Sequence, residues 1–242
     1  MAKIKRLFND PYDIVEEMVE GYVGAHKQYV KMCDLDEAQG RVVLANDAGT
    51  KDKVGVIIGG GSGHEPLFIG YVGEDFADAV VIGNINTSPS PDPCYEAAKA
   101  CDNGKGCIYL YGNYAGDVMN FDMGAEKADE EDDIRVETVL VTDDVVSSEN
   151  IPDRRGIAGD FFVFKVAGAK AATGADLDEV VAAAQKANDN TRSMGVAMSS
   201  ATLPAKGGTI FDMEDGDMEI GMGIHGEPGI RRGKIDLSLI HI

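Results

Sequence analysis

The sequence predicts an α/β fold: a layered, largely parallel or mixed sheet flanked by helices, followed by the start of a second α/β domain. Three observations carry this. Short β-branched segments alternate with longer stretches of helical character. The short segments are apolar almost throughout rather than at every second residue, which suits strands covered on both faces. Glycine-rich loops follow several of them directly, as in "VGVIIGGGSGHEP", where open α/β sheets tend to hold ligands.

The elements follow in order. Pro11, behind Asn9 and Asp10, marks a helix start, and Ile14, Val15, Met18, Val19, Tyr22 and Val23 recur at helical spacing, predicting a helix to about Val30. "KVGVIIGG", "DAVVIGNI", "GCIYLYGN" and "IRVETVLV" predict four strands. "PCYEAAKACDNG", "VMNFDMGAEKADEED", "GDFFVFKVAGAKAATG" and "DLDEVVAAAQKAND" predict helices between and after them. Past Arg192 the texture changes to strand-like pieces rich in methionine and glycine, "MGVAMSSATLPAKGG" and "MEIGMGIHGEPG". This sets a first domain at residues 1–192 and the beginning of an incomplete second at 193–236. "GIHGEPGIRRGKID" then breaks off into "LSLIHI"; residues 237–242 read as a non-native tail, and His241 is set aside with them.

Composition narrows the function classes. At 242 residues with 44% apolar content, the chain can build substantial cores. Its 22 basic and 42 acidic residues leave a net charge of −20, which repels nucleic acid and anionic membranes, so neither is an expected partner. No apolar stretch approaches the ~18 residues of a membrane span, and "MAKIKRLFNDP" lacks the apolar middle of a secretory signal; the expected location is the cytoplasm. Cys33, Cys94, Cys101 and Cys107 form no CxxC pair and no zinc spacing, so reduced thiols are expected. The acidic run over residues 126–133 reads as a solvated helix end.

Three loops can carry chemistry. In the first, residues 59–66, glycines would let backbone N–H groups approach a ligand, and His64 and Glu65 close the loop. No Lys-Ser or Lys-Thr completes a nucleotide-binding loop, and neither Gly59 nor Gly61 begins a complete G-x-G-x-x-G; a tight turn capped by His64 is the other reading. The second, "YGNYAGDVMNF", puts Asp117 at a helix start, where an N-cap is the plainer role. The third, "GMGIHGEPG", carries His225, again ahead of glycine, glutamate and proline. A zinc site drawn from His64, His225, Glu65, Asp117 and Glu227 would lack a helical His-x-x-x-His anchor, and no metal is expected.

Together, "GGGSGHEP", "TSPSPD", "GNYAGDVMNF", "RRGIAG" and "GIHGEPGI" resemble the substrate-binding subunit of dihydroxyacetone kinases, in the same order and over essentially residues 1–232. The resemblance implies two α/β domains, a homodimer, and a site for a short ketose, dihydroxyacetone or a four-carbon relative. It implies that a ring nitrogen of His225 adds to the ketone to give a hemiaminal. His64 and Asp117 would hydrogen-bond the substrate and act on the hydroxyl that receives phosphate, with Gly61, Ser62, Gly63 and Ser88 alongside. It implies no cofactor in this chain: ATP with magnesium, or a phosphocarrier, would act from a helical nucleotide-binding domain or subunit. The alternative is a non-catalytic ketose-binding paralogue acting as a transcriptional co-regulator, which could dispense with Asp117. Gly112 stands where the family's best-known members carry a lysine, which removes a cation, is expected to widen the site, and predicts tolerance of a four-carbon ketose such as erythrulose.

Overall fold

The computed structural model describes residues 7–206 and 208–235. The expected non-native tail, with His241, lies outside the described residues.

The buried apolar segments assemble as a six-stranded mixed sheet. Its strands are β1 (Val30–Met32), β2 (Val42–Ala45), β3 (Gly55–Ser62), β4 (Ala79–Ile85), β5 (Cys107–Gly112) and β6 (Val136–Val141), in the order β1-β2-β4-β3-β5-β6. β4, β3, β5 and β6 run parallel, while β1 and β2 are antiparallel additions at the β4 edge. All eight residues of β3 are buried, as its position between two parallel neighbours demands. The edge strand β6 is only partly covered and accordingly mixes Glu137 and Thr138 with its valines.

Helix α1 (Ile14–His26) precedes the sheet; α2 (Pro91–Cys101), α3 (Ala115–Asp132) and α4 (Asp160–Ala171) follow β4, β5 and β6, and α5 (Leu177–Asn190) comes directly after α4. Successive residues of a strand face opposite sides, and two glycines of β3 show which helix covers which face. A Cβ on Gly59 would lie 2.7 Å from the Phe121 ring of α3. One on Gly60 would meet Phe68, whose ring lies 6.1 Å from that of Phe164 in α4. Local sequence explains the helix starts: Pro91 opens α2, and Asp176 and Glu179 form a reciprocal capping box on α5, with Glu179 N donating to Asp176 Oδ1 at 2.9 Å.

The four predicted strands and four later helices match the structure to within a few residues. The first helix is shorter than predicted, ending at His26, because Val30 pairs with Ala45 as the first residue of β1. β1 and β2 themselves, three and four residues long, are not resolved by sequence periodicity.

Past α5 the chain forms a small antiparallel sheet of β7 (Val196–Ala197), β8 (Asp217–Ile220) and β9 (Arg231–Lys234). It is tied to the end of β6 through Ser193, whose amide donates to Asp143 O at 2.9 Å and whose carbonyl accepts from Val145 N at 3.1 Å. Asp143 is fully buried and accepts in addition from the amides of Ile157 and Gly159, both at 2.8 Å, and from the Ser193 hydroxyl.

Candidate active site

Every parallel strand ends on the same edge, and the chain has put its reactive side chains there. His64 follows β3, Ser88 follows β4, Asp117 lies in the first turn of α3 after β5, and Asp144 follows β6. The strand order reverses around β3, since the chain leaves it for β4 on one side and returns to β5 on the other; this is where open sheets form a crevice. The loop between β8 and β9 brings His225 to that crevice from the small sheet.

The two histidines, 161 positions apart in sequence, meet through their Nε2 atoms at 3.2 Å. Their rings lie edge to face at 5.0 Å, and the Tyr114 ring meets His225 on another side at 4.8 Å. His225 is held from behind by Glu227, whose Oε1 lies 3.2 Å from His225 Nδ1 and whose Oε2 accepts from the His225 amide at 2.9 Å. Burial opposes ionisation of Glu227, but the hydrogen bonds from the His225 ring and from backbone amides prevail and hold its carboxyl down at about 2. Glu227 is therefore a carboxylate at neutral pH, and His225 Nδ1 carries the hydrogen that faces it. In the Nδ1–H tautomer of His225, the Nε2 lone pair faces His64, whose Nε2–H then donates. Burial pushes His64 down to about 4, and His225 beside it adds to the effect, so His64 is a neutral donor.

Asp117 is nine-tenths buried, and burial pushes its carboxyl up to about 6, against the lowering influence of the Ser88 hydroxyl and of His225. Its Oδ1 has no hydrogen-bond partner. It is the third residue of α3, and the cap position belongs to Tyr114, so the N-cap reading of Asp117 does not hold. A buried carboxylate with an unpaired oxygen, titrating close to neutrality, is suited to accepting a proton. Ser88 is anchored beside it by Asn120, whose Nδ2 donates to Ser88 Oγ at 3.2 Å and to Pro89 O at 2.8 Å.

The glycine-rich loop is closely packed. A Cβ on Gly60 would lie 2.2 Å from Phe68, and one on Gly61 would lie 2.7 Å from Thr87 N. At Gly60 and Gly61 only glycine admits this close packing of the sheet against its neighbours. Ser62 is buried and spends its hydroxyl on Gly83 O at 2.8 Å, while Gly63, at φ 97°, is exposed and lets the chain turn toward His64. Gly112 is packed closely as well. A Cβ there would lie 3.1 Å from both Gly156 O and the Tyr114 ring, so packing already fills that space.

Sequence reasoning weighed Glu227 only as a metal ligand and passed over Tyr114 and Arg155. The repetition of "EP" behind both histidines and the "RRGIAG" motif were the available signals. Among the described residues, no group of three or more His, Cys, Asp or Glu side chains could hold a metal ion.

An open α/β sheet whose carboxyl edge gathers two histidines, one of them kept neutral by burial, and a buried aspartate is the kind of site suited to a small polar molecule and to acid–base or nucleophilic chemistry. The chain belongs to the Dak1 domain family, which matches residues 20–240. It is 63% identical over 233 residues to the dihydroxyacetone-binding subunit DhaK of a PTS-dependent dihydroxyacetone kinase of Listeria innocua, covering 96% of this chain and 69% of that one. It is 45% identical to an L-erythrulose 1-kinase of Mycolicibacterium smegmatis over 95% of this chain and 39% of the relative. The crystal structure of the dihydroxyacetone kinase of C. freundii superimposes with a TM-score of 0.86 at 38% identity, covering 94% of this chain and 42% of that one.

Proposed function

We propose that this chain is the ketose-holding part of a short-chain ketose kinase, a phosphotransferase that captures dihydroxyacetone or a four-carbon ketose on His225 while a hydroxyl is phosphorylated. The observation that carries the reading is the meeting of His64 and His225 at 3.2 Å over the sheet edge that also holds Asp117. A neutral imidazole with its Nδ1–H tied to a carboxylate is a nucleophile at Nε2. As Nε2 attacks the ketone carbon, an N–C bond forms and the carbonyl π pair moves onto oxygen. That oxygen takes up one proton and the ring gives up one, so the hemiaminal is neutral. While the charges are separated, Glu227 stabilises the imidazolium and the His64 Nε2–H faces the developing alkoxide. A plain polyol has no carbonyl to capture, so the covalent step selects a ketose over glycerol where hydrogen bonding alone discriminates weakly.

Asp117, with Ser88 beside it, accepts the proton of the attacking hydroxyl. The phosphoryl group comes from outside this chain, from ATP with magnesium or a phosphocarrier acting through a helical nucleotide-binding domain or subunit. In this reading the protein works in the cytoplasm as a homodimer, and residues 193–236 belong to a second domain that supplies His225. Light scattering of the purified chain tests the dimer; a monomer at micromolar concentration would refute it.

Two outcomes follow from the site. As a base, Asp117 must be ionised, and its carboxyl is protonated below about 6. Turnover with a supplied donor is therefore expected to fall as pH drops through about 6, whereas His64 stays neutral across that range. Asp117→Asn should lower kcat by roughly 10²–10⁴-fold and remove this acid limb; an unchanged profile would rule out the role. With glycine at position 112, no lysine cation faces the substrate. Both dihydroxyacetone and erythrulose are expected to be turned over in side-by-side assays, and strict rejection of the four-carbon sugar would overturn this.

A further inference from the structure

We propose that Arg155, anchored on Asp144, is a positioning residue for His225 that acts through Glu227, so that the first sheet controls the nucleophile delivered by the second. The inference rests on the ketose-capture reading for its consequence, but its geometry stands apart from it. Asp144 follows β6 and its side chain is fully buried. Arg155 Nε and Nη2 both donate to Asp144 Oδ2, at 3.1 and 2.9 Å, and Nη2 also donates to Gly221 O at 3.2 Å. The remaining terminal nitrogen, Nη1, lies 3.7 Å from Glu227 Oε2. Glu227 in turn holds the His225 amide through Oε2 and the ring through Oε1. One guanidinium thus joins the edge of the large sheet, the start of the 221–230 loop and the carboxylate that orients the ring.

The chain makes room for this arrangement. A Cβ on Gly223 would lie 2.2 Å from Glu227 Oε2 and 2.3 Å from Arg155 Nη1, so glycine alone lets the two charges meet there. Asp144 is pinned as well: its Oδ1 accepts from the Val146 amide at 3.1 Å, and its own amide donates to Arg155 O at 3.1 Å. The groups around the His225 ring are Glu227 at Nδ1, His64 at Nε2, the Tyr114 ring at its side and Asp117 within electrostatic reach. Of these, Glu227 faces Nδ1 and sets its hydrogen, and Arg155 ties Glu227 to the end of β6 through Asp144. A guanidinium serves here where an ammonium would not, because its planar fork reaches several acceptors at fixed angles.

The test uses the full chain labelled with ¹⁵N-histidine. In the unvaried protein the His225 ring should show the Nδ1–H tautomer. Arg155→Met should shift its ring signals toward a mixture of tautomers and lower the fraction carrying a dihydroxyacetone adduct, read by native intact mass at fixed ketose, at least tenfold. Arg155→Lys should recover only part of either signal. Because Arg155→Met orphans a buried carboxylate, the double variant Arg155→Met with Asp144→Asn provides the same readout in a chain without that charge. Ring signals in the folded double variant that match the unvaried protein would overturn the proposal. If the unvaried protein forms no adduct at His225, the ketose reading fails, and the tautomer shift alone then decides for or against the positioning role.

Discussion

Replacing His225 with alanine is expected to abolish the covalent ketose adduct while leaving the fold intact. The adduct needs one neutral imidazole whose lone pair faces the carbonyl carbon. Glu227 holds His225 at Nδ1 and so leaves Nε2 for attack. His64 cannot substitute. Burial keeps it neutral, but among the described residues no carboxylate is hydrogen-bonded to its other nitrogen, and its Nε2 faces that of His225. The small sheet does not depend on the ring, since the 221–230 turn is held by backbone bonds, Gly223 N to Glu227 O at 3.0 Å and Ile230 N to Ile220 O at 2.9 Å. Intact mass after incubation with dihydroxyacetone reads the result directly. Retention of the adduct in His225→Ala would remove His225 from the mechanism, whereas its loss in His64→Ala alone would move the nucleophile to the other histidine. With capture gone, the preference for ketose over glycerol should also fall, because hydrogen bonds alone then select.

Gly83→Ala is expected to destabilise the protein by about 3 kcal/mol, the upper part of the range for forced overpacking in a core. A Cβ there would lie 1.9 Å from Thr87 O and 2.8 Å from both Ser88 C and Pro89 N. All three are backbone atoms of the turn after β4, so no side chain can rotate away. The turn must move, and it carries Ser88, which sits against Asp117, and Pro89, which accepts from Asn120. Stability and turnover should therefore fall together. Gly24→Ala provides the contrast: Gly24 lies in α1, is exposed, and has nothing within 4 Å of the added methyl. There alanine should stabilise by roughly 0.5–1 kcal/mol through helix propensity. Urea midpoints of the two variants measure both effects, and equal shifts would contradict the packing argument.

The fold was legible where burial leaves a clear mark on composition. β3 to β6 and α2 to α5 emerge from apolar runs and helical spacing because long or fully buried elements constrain many residues at once. β1 and β2 escape notice because three or four residues do not establish a period, and Val30, at helical spacing from α1, joins the sheet only because Ala45 is there to pair with it. The glycines of β3 were legible as unusual, but not the packing against them, since the groups that crowd them, Phe68 and Thr87, come from loops whose course the local sequence does not dictate.

The site divides along the same line. Residue type and local context single out His64, Asp117 and His225, because histidine and aspartate in glycine-rich loops beyond buried strands have few structural duties. Their chemistry is another matter. Glu227, two residues on, fixes the His225 ring from within its own turn, but what faces the ring and what raises the Asp117 carboxyl depend on neighbours from elsewhere in the chain: His64 and Tyr114 around His225, and burial around Asp117, opposed by Ser88. Arg155 acquires its role only when the end of β6 and the 221–230 loop meet across two sheets. Local sequence dictates which groups are present and which segments form strands and helices, because those depend on near neighbours and on burial. Protonation and direction depend on burial and on contacts a few ångströms long, some of them between residues as distant in sequence as His64 and His225, and only the folded chain creates them.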